Sequence, residues 1–143
     1  MTSVGITKPG ATTSKRYTVA PPAYQQAVFL DSGGTLSQLP ANLVQAMLAD
    51  FTGVVDNGGG LYTIDCAQTS WKGTLDFGFG TTIIRVPYHE FIWVPAPGVC
   101  VFGAKAVDTS VSVSWVLGGK IIPSSLDKFA NYMHRHFLEI LLQ

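Results

Sequence analysis

Val28, Phe29 and Leu30 run straight into Asp31, and the small-residue turn Ser32-Gly33-Gly34 follows at once. β-branched and aromatic residues in a run this short, bounded by a turn, predict a buried strand that ends on a carboxylate. Leu43, Val44, Met47, Leu48 and Phe51 recur at helical spacing, so a helix is expected over residues 40–51, with Pro40 in its first turn and Gly53 beyond its end. Apolar and polar residues alternate over residues 74–79, turn at Gly80 and return over residues 81–86, the pattern of a hairpin. Further strands are expected near Val4 and Ile6 and over residues 17–19, 24–30, 61–66, 92–94, 99–103 and 111–117. Residues 12–16 read as an exposed polar turn, and residues 87–91 as a short helical turn.

A second amphipathic stretch lies at the end. Leu126, Phe129, Ala130, Met133, Phe137, Ile140 and Leu141 form an apolar stripe, and Ser124 with Asp127 resembles a capping box. A helical tail is the expectation. Many short strands with one internal helix and one C-terminal helix make the fold class mainly β.

Composition narrows the possibilities. The chain has 143 residues, enough for one domain, and 47% of them are apolar. Nine basic and nine acidic residues cancel, which removes any case for nucleic acid or an anionic membrane surface as partner. No apolar run is long enough to span a membrane, and residues 1–20 lack the apolar core of a signal peptide. The glycine run Gly58-Gly59-Gly60 lacks the Lys-Ser/Thr that a phosphate loop requires, so it is read as a hairpin loop. Neither His89-Glu90 nor the pair His134 and His136 has metal-ligand spacing; no metal and no cofactor is expected. Cys66 and Cys100 are either buried thiols or a disulfide that would stabilise the fold by roughly 4 kcal/mol.

Asp31 is the candidate for chemistry. A carboxylate at the end of a buried strand costs free energy unless it is hydrogen-bonded, and Ser32 and the N–H groups of Gly33 and Gly34 are within reach. Asp31-Ser32-Gly33-Gly34 resembles the nucleophile turn of chymotrypsin-like serine proteases. That mechanism needs a base histidine far upstream of the serine, whereas His89, His134 and His136 all lie downstream.

The stronger resemblance is to the active-site loop of pepsin-like aspartic proteases: apolar residues, Asp, Thr or Ser, Gly, then Thr or Ser. Asp31, Ser32, Gly33 and Leu36 fit it. The rest of the order fits as well: Leu39-Pro40 entering a helix, a glycine-rich hairpin at residues 57–60, Cys66, the alternating strand from Leu75 to Phe79, Pro87-Tyr88, Cys100, and Trp115 to Gly118. The set resembles the C-terminal lobe of a fungal secreted enzyme of this family, over about residues 3–121.

This resemblance implies a single lobe of a pepsin-like β-barrel over residues 1–122, followed by a divergent helical tail over residues 123–143. It implies Asp31 as a catalytic acid, Ser32, Gly33, Gly34 and Thr35 as the active-site and substrate-binding loop, and Gly118 in the loop crossing behind Asp31. It implies a Cys66–Cys100 disulfide, a polypeptide substrate or peptide ligand, and a secreted or vacuolar location. The departures matter equally. Gly34 stands where the family has Thr or Ser, Gly119 stands in place of an Asp, and the partner lobe with its own Asp and flap tyrosine is missing. Asp50, Asp56, Asp65, Asp76, Asp108 and Asp127 sit in helix, turn or strand-edge contexts that do not suit a second catalytic acid. Three expectations follow: a lobe active only with a second lobe or as a homodimer, a non-catalytic peptide-binding or inhibitory lobe, or a truncated gene product without activity.

Overall fold

The computed structural model describes residues 1–18, 27–31, 33–108, 115–119 and 121. Along the chain run β1 (Ser3–Thr7), β2 (Lys15–Arg16), β3 (Val28–Asp31), β4 (Ser37–Pro40), α1 (Ala41–Leu48), β5 (Val55–Asp56) and β6 (Tyr62–Thr63). A 3₁₀ turn (Cys66–Ser70) follows, then β7 (Thr74–Phe79), β8 (Thr82–Pro87), α2 (Tyr88–Phe91), β9 (Trp93–Ala96), β10 (Val99–Val101), β11 (Ala104–Val107) and β12 (Trp115–Gly118). The mainly β architecture expected from the sequence is observed. The strands form three four-stranded sheets, ordered β2-β1-β7-β8, β5-β6-β10-β9 and β11-β4-β12-β3.

The first sheet is antiparallel throughout, with Val4 opposite Phe77 and Phe77 opposite Ile84. All three of these side chains are fully buried, as the alternation requires. The third sheet is mixed. β12 lies parallel to β3 and antiparallel to β4, and β11 lies parallel to β4. β12 is therefore inserted between two strands that come from the first third of the chain.

Helix α1 packs Leu43, Val44, Met47 and Leu48 into the core, the face that its apolar spacing predicts. Phe51 beyond it joins an aromatic group, with ring centroids 5.2 Å from Tyr88 and 5.1 Å from Phe102, while Phe91 meets Phe102 at 5.0 Å. Such pairs contribute about 0.5–1.5 kcal/mol each beyond area burial. Cys66 and Cys100 are joined by a disulfide with their Cα atoms 5.3 Å apart, tying the 3₁₀ turn to β10.

Several local expectations are corrected. The strand before Asp31 exists, but Phe29 is 62% exposed rather than buried. β3 is the end strand of its sheet's order, and alternation turns Val28 and Leu30 toward the core and Phe29 away from it. Pro40 closes β4 in an extended conformation and precedes the helix instead of starting it. Residues 61–66 form only a two-residue strand, because the Asp65 carboxylate accepts from the Ala67 N–H at 2.9 Å and turns the chain into the 3₁₀ segment. Lys15 and Arg16 form a strand rather than a turn. β4 and β11 are strands the pattern did not announce. The helical tail over residues 123–143, and the strand segments at residues 19, 24–26 and 111–114, lie outside the described residues.

Candidate active site

Asp31 ends β3 directly opposite Gly118 at the end of β12. Beyond it the chain folds back on itself. The Gly33 N–H donates to Asp31 Oδ1 at 3.0 Å, and the Gly34 N–H donates to the Asp31 carbonyl at 3.3 Å. Of the two backbone donors expected for the carboxylate, Gly33 serves it and Gly34 serves the main chain instead. Asp31 is half-buried, with Gly33 and Thr35 exposed beside it. Ser32 lies outside the described residues.

Glycine is required twice here by close approach. A Cβ on Gly34 would lie 2.7 Å from Asp31 Oδ2 and 3.2 Å from its Cγ, so the carboxylate occupies the space over the Gly34 Cα. A Cβ on Gly118 would lie 2.6 Å from both the carbonyl carbon and oxygen of Leu36, and 2.8 Å from the Gly34 oxygen. The main chain of β12 thus passes in contact with the back of the Asp31 loop. Three hydrogen bonds fasten the crossing: Gly119 N–H to the Gly34 carbonyl at 2.5 Å, Gly118 N–H to Ser37 Oγ at 3.0 Å, and Ser37 N–H to the Gly103 carbonyl at 3.0 Å. Ser37 is fully buried, so its hydroxyl is a structural fixture of the loop.

Ser37 escaped the sequence reading. The signal was present in Ser37-Gln38-Leu39, where Ser37 and Leu39 are buried and Gln38 is exposed. That alternation marks Ser37 as inward-facing, and an inward serine needs a partner.

Four other described aspartates have structural occupations. Asp56 Oδ1 accepts from the Gly58 N–H at 2.8 Å within its hairpin. Asp65 caps the 3₁₀ turn. Asp76 is buried and accepts from the hydroxyls of Thr7 and Thr74, both at 2.6 Å. Asp50 is the most elaborate case. Its side chain is 4% exposed and meets Lys8 Nζ at 2.7 Å and Lys15 Nζ at 2.8 Å, while the Tyr17 hydroxyl donates to Oδ2 at 3.0 Å. Burial pulls the Asp50 pKa upward, but the hydrogen bonds from Lys15, Lys8 and Tyr17 outweigh it and hold it below the ordinary Asp value. Burial, and then Asp50 beside it, raise the Tyr17 hydroxyl well above the usual tyrosine range. Among the described residues no group of three or more His, Cys, Asp or Glu side chains is placed to hold a metal ion. His89 is exposed, whereas Glu90, read as a surface residue, is half-buried; His89 Nε2 and Glu90 Oε1 lie 3.6 Å apart.

A family model for eukaryotic aspartyl protease matches residues 6–133. The chain belongs to that family. Among curated members, Rhizopuspepsin-2 of Rhizopus niveus is 36% identical over 77 residues, 54% of this chain and 19% of that protein. Secreted aspartic protease 9 of Candida albicans is 29% identical over 93 residues, 64% of this chain and 17% of that protein. The crystal structure of the aspartic proteinase from Irpex lacteus superposes with a TM-score of 0.56 at 16% identity, over 85% of this chain and 36% of that one. At that identity the superposition speaks for the fold alone, and the fold is pepsin-like. The chain spans about a fifth of the length of the curated family members it matches.

Proposed function

We propose that this chain supplies one half of an aspartic endopeptidase site, with Asp31 as its single catalytic acid. The observation that carries the reading is the Asp31 loop itself: a half-buried carboxylate at a strand end, held by the Gly33 N–H, with the Gly118 main chain crossing behind it. In this chemistry two carboxylates share one proton. The charged one draws a proton from water as the water attacks the peptide carbonyl, and the protonated one donates to the carbonyl oxygen. One Asp cannot hold both states in the same step. The second acid therefore comes from a second lobe, a role that a second copy of this chain could also fill. In that assembly Ser32 would join the two loops, and Gly33 and Thr35 would meet the substrate main chain.

The lobe over residues 1–122, with residues 123–143 as an appended tail, belongs to the same reading. So does a secreted or vacuolar working place. Its support is the likeness to a protease that is secreted by its name, together with a disulfide, which persists in oxidising compartments. No helix among the described residues is long and apolar enough to cross a membrane.

A second reading is favoured by Gly34: a lobe that binds peptides without cutting them. Gly34 brings no hydroxyl to the loop, and the Asp31 carboxylate fills the space where a side chain would start. Peptide digestion at acidic pH over a wide range of protein concentration separates the two, with Asp31→Asn as control. Turnover that rises with the square of concentration and is lost in Asp31→Asn supports the paired site. Peptide binding without turnover at any concentration supports the second reading. Turnover proportional to concentration, from a species shown to be monomeric, contradicts both.

A further inference from the structure

The hairpin between β5 and β6 carries chemistry that the proposed site does not use. Its loop reads Asp56-Asn57-Gly58-Gly59-Gly60, and all three glycines have positive φ, at 78°, 60° and 78°. Asn57, Gly58 and Gly59 are exposed, and a Cβ built on Gly58 or Gly59 would meet nothing within 4 Å. Gly58 therefore has no side chain of its own, and no neighbour packs where one would stand. The Asn57 side chain is loosely held, its Nδ2 donating to the Val55 carbonyl and to Thr63 Oγ1 at 3.3 Å each. Both distances lie past the usual range for an N–H···O bond. The Gly58 N–H points at the Asp56 carboxylate, with 2.8 Å from nitrogen to Oδ1.

From this arrangement we infer that Asn57 is a site of intramolecular deamidation, with Asp56 receiving the proton of the attacking nitrogen. The Gly58 backbone nitrogen bonds to Asn57 Cγ, and its proton moves toward Asp56 Oδ1. The Cγ–Nδ2 bond breaks, the departing nitrogen takes up a proton, and ammonia leaves. A five-membered succinimide remains. One water then opens it at either of its two carbonyl carbons, leaving aspartate or isoaspartate at position 57. No oxidant, reductant or co-reactant other than water is involved. Asp56 meets the geometric requirement for a general base, since it lies within hydrogen-bond reach of the proton to be removed.

The product alters the hairpin. A carboxylate at position 57 loses both Nδ2 donations and stands beside Asp56. The isoaspartate form also lengthens the main chain by one methylene between Asn57 and Gly58, inside the turn closed by the Asn57 N–H and the Leu61 carbonyl at 2.9 Å. The register of Val55 with Thr63 and of Asp56 with Tyr62 is fixed through that turn.

The test is prolonged incubation of the folded full chain at mildly alkaline pH, followed by peptide mapping by mass spectrometry with an isoaspartate-sensitive fragmentation. The peptide carrying Asn57 gains the mass of an amide-to-acid exchange and contains isoaspartate. Asn42 is the internal control: it is also exposed, but Leu43 follows it and its Oδ1 accepts from the Leu43 N–H at 2.9 Å at the start of a helix. Equal conversion at Asn42, or none at Asn57, overturns the inference. Asp56→Asn, checked for retained fold by circular dichroism, slows conversion by about a hundredfold or more, the low side of what a positioned base supplies. An unchanged or faster rate overturns the role given to Asp56. Asn57→Gln, which would need a six-membered ring, abolishes the mass gain at this peptide.

Discussion

Replacing Asp50 separates two contributions that the wild-type structure joins. The Asp50 carboxylate is almost wholly buried, while the Lys8 and Lys15 side chains that meet it are 53% and 59% exposed. If the carboxylate is removed, both ammonium groups return to water by rotating outward, so each lost ion pair costs only about 0–1 kcal/mol. Tyr17 has no such escape, being 3% exposed with its hydroxyl aimed at Asp50. An orphaned buried hydroxyl costs about 1–3 kcal/mol. Asp50→Ala is therefore expected to lower stability by about 3 kcal/mol, most of it from Tyr17. Asp50→Asn retains an acceptor for the hydroxyl and should cost about 1 kcal/mol, the charge contribution alone.

Urea unfolding of the two variants measures the difference directly. Tyr17→Phe in the Asp50→Ala background supplies the internal control, because deleting the orphan should return about 1–2 kcal/mol. Equal losses for Asp50→Asn and Asp50→Ala, or no recovery in the double variant, would contradict the assignment to Tyr17. The pH dependence has a definite sign. The folded pKa of Asp50 is depressed, so its contribution is present above the unfolded value of about 3.9 and is lost as pH falls through the folded value. The difference between wild type and Asp50→Asn should therefore shrink in strong acid.

Three further outcomes are expected. Gly118→Ala should cost about 1–3 kcal/mol or more, since the added methyl meets Leu36 and Gly34 backbone rather than a movable side chain; a neutral effect in thermal unfolding would contradict the crossing geometry. Paired Cys66→Ser and Cys100→Ser substitution opens a loop with a sequence separation of 34 and should lower stability by about 4 kcal/mol in the chain-entropy model; thiol titration of denatured, unreduced wild type should find no free sulfhydryl. Gly34→Ser should displace the Asp31 carboxylate, visible as a changed Asp31 side-chain carboxyl chemical shift at a fixed pH; an unaltered shift would show that the close approach is relieved elsewhere.

Strong periodicity carried most of the sequence reading. The α1 face and the β7–β8 hairpin were readable because each repeats its own period over several residues, and the strand into Asp31 because a short apolar run ends at a small-residue turn. The disulfide and the crossing at Gly118 were expected only through family resemblance, since both depend on residues far apart in the chain. β4 and β11 were missed for a physical reason: each is four residues long, and pairing to distant strands, not local propensity, makes them strands. Phe29 misled because an apolar run does not report which strand ends the sheet's order. Asp50 gave a hint that went unused. An acid just past a helix C-terminus opposes the macrodipole and needs cations nearby, and Lys8 and Lys15 supply them.

The insertion of β12 between β3 and β4 bears on how the chain reaches its native state. The Gly118–Ser37 hydrogen bond closes a separation of 81 residues, and the β3–β12 register closes one of similar length. β3 and β4 flank a gap until that late segment arrives, so neither has its central partner while the first hundred residues leave the ribosome. The Asp31 loop thus takes its final shape in the last, slowest kind of step, one that must meet a large loop-closure entropy before any contact rewards it. Until then Leu39 and Leu117, both fully buried in the native state, are open to other chains. Refolding yield should accordingly fall with protein concentration more steeply than for a fold of local contacts, and a chain stopped before residue 115 should acquire its first sheet while leaving Asp31 unformed.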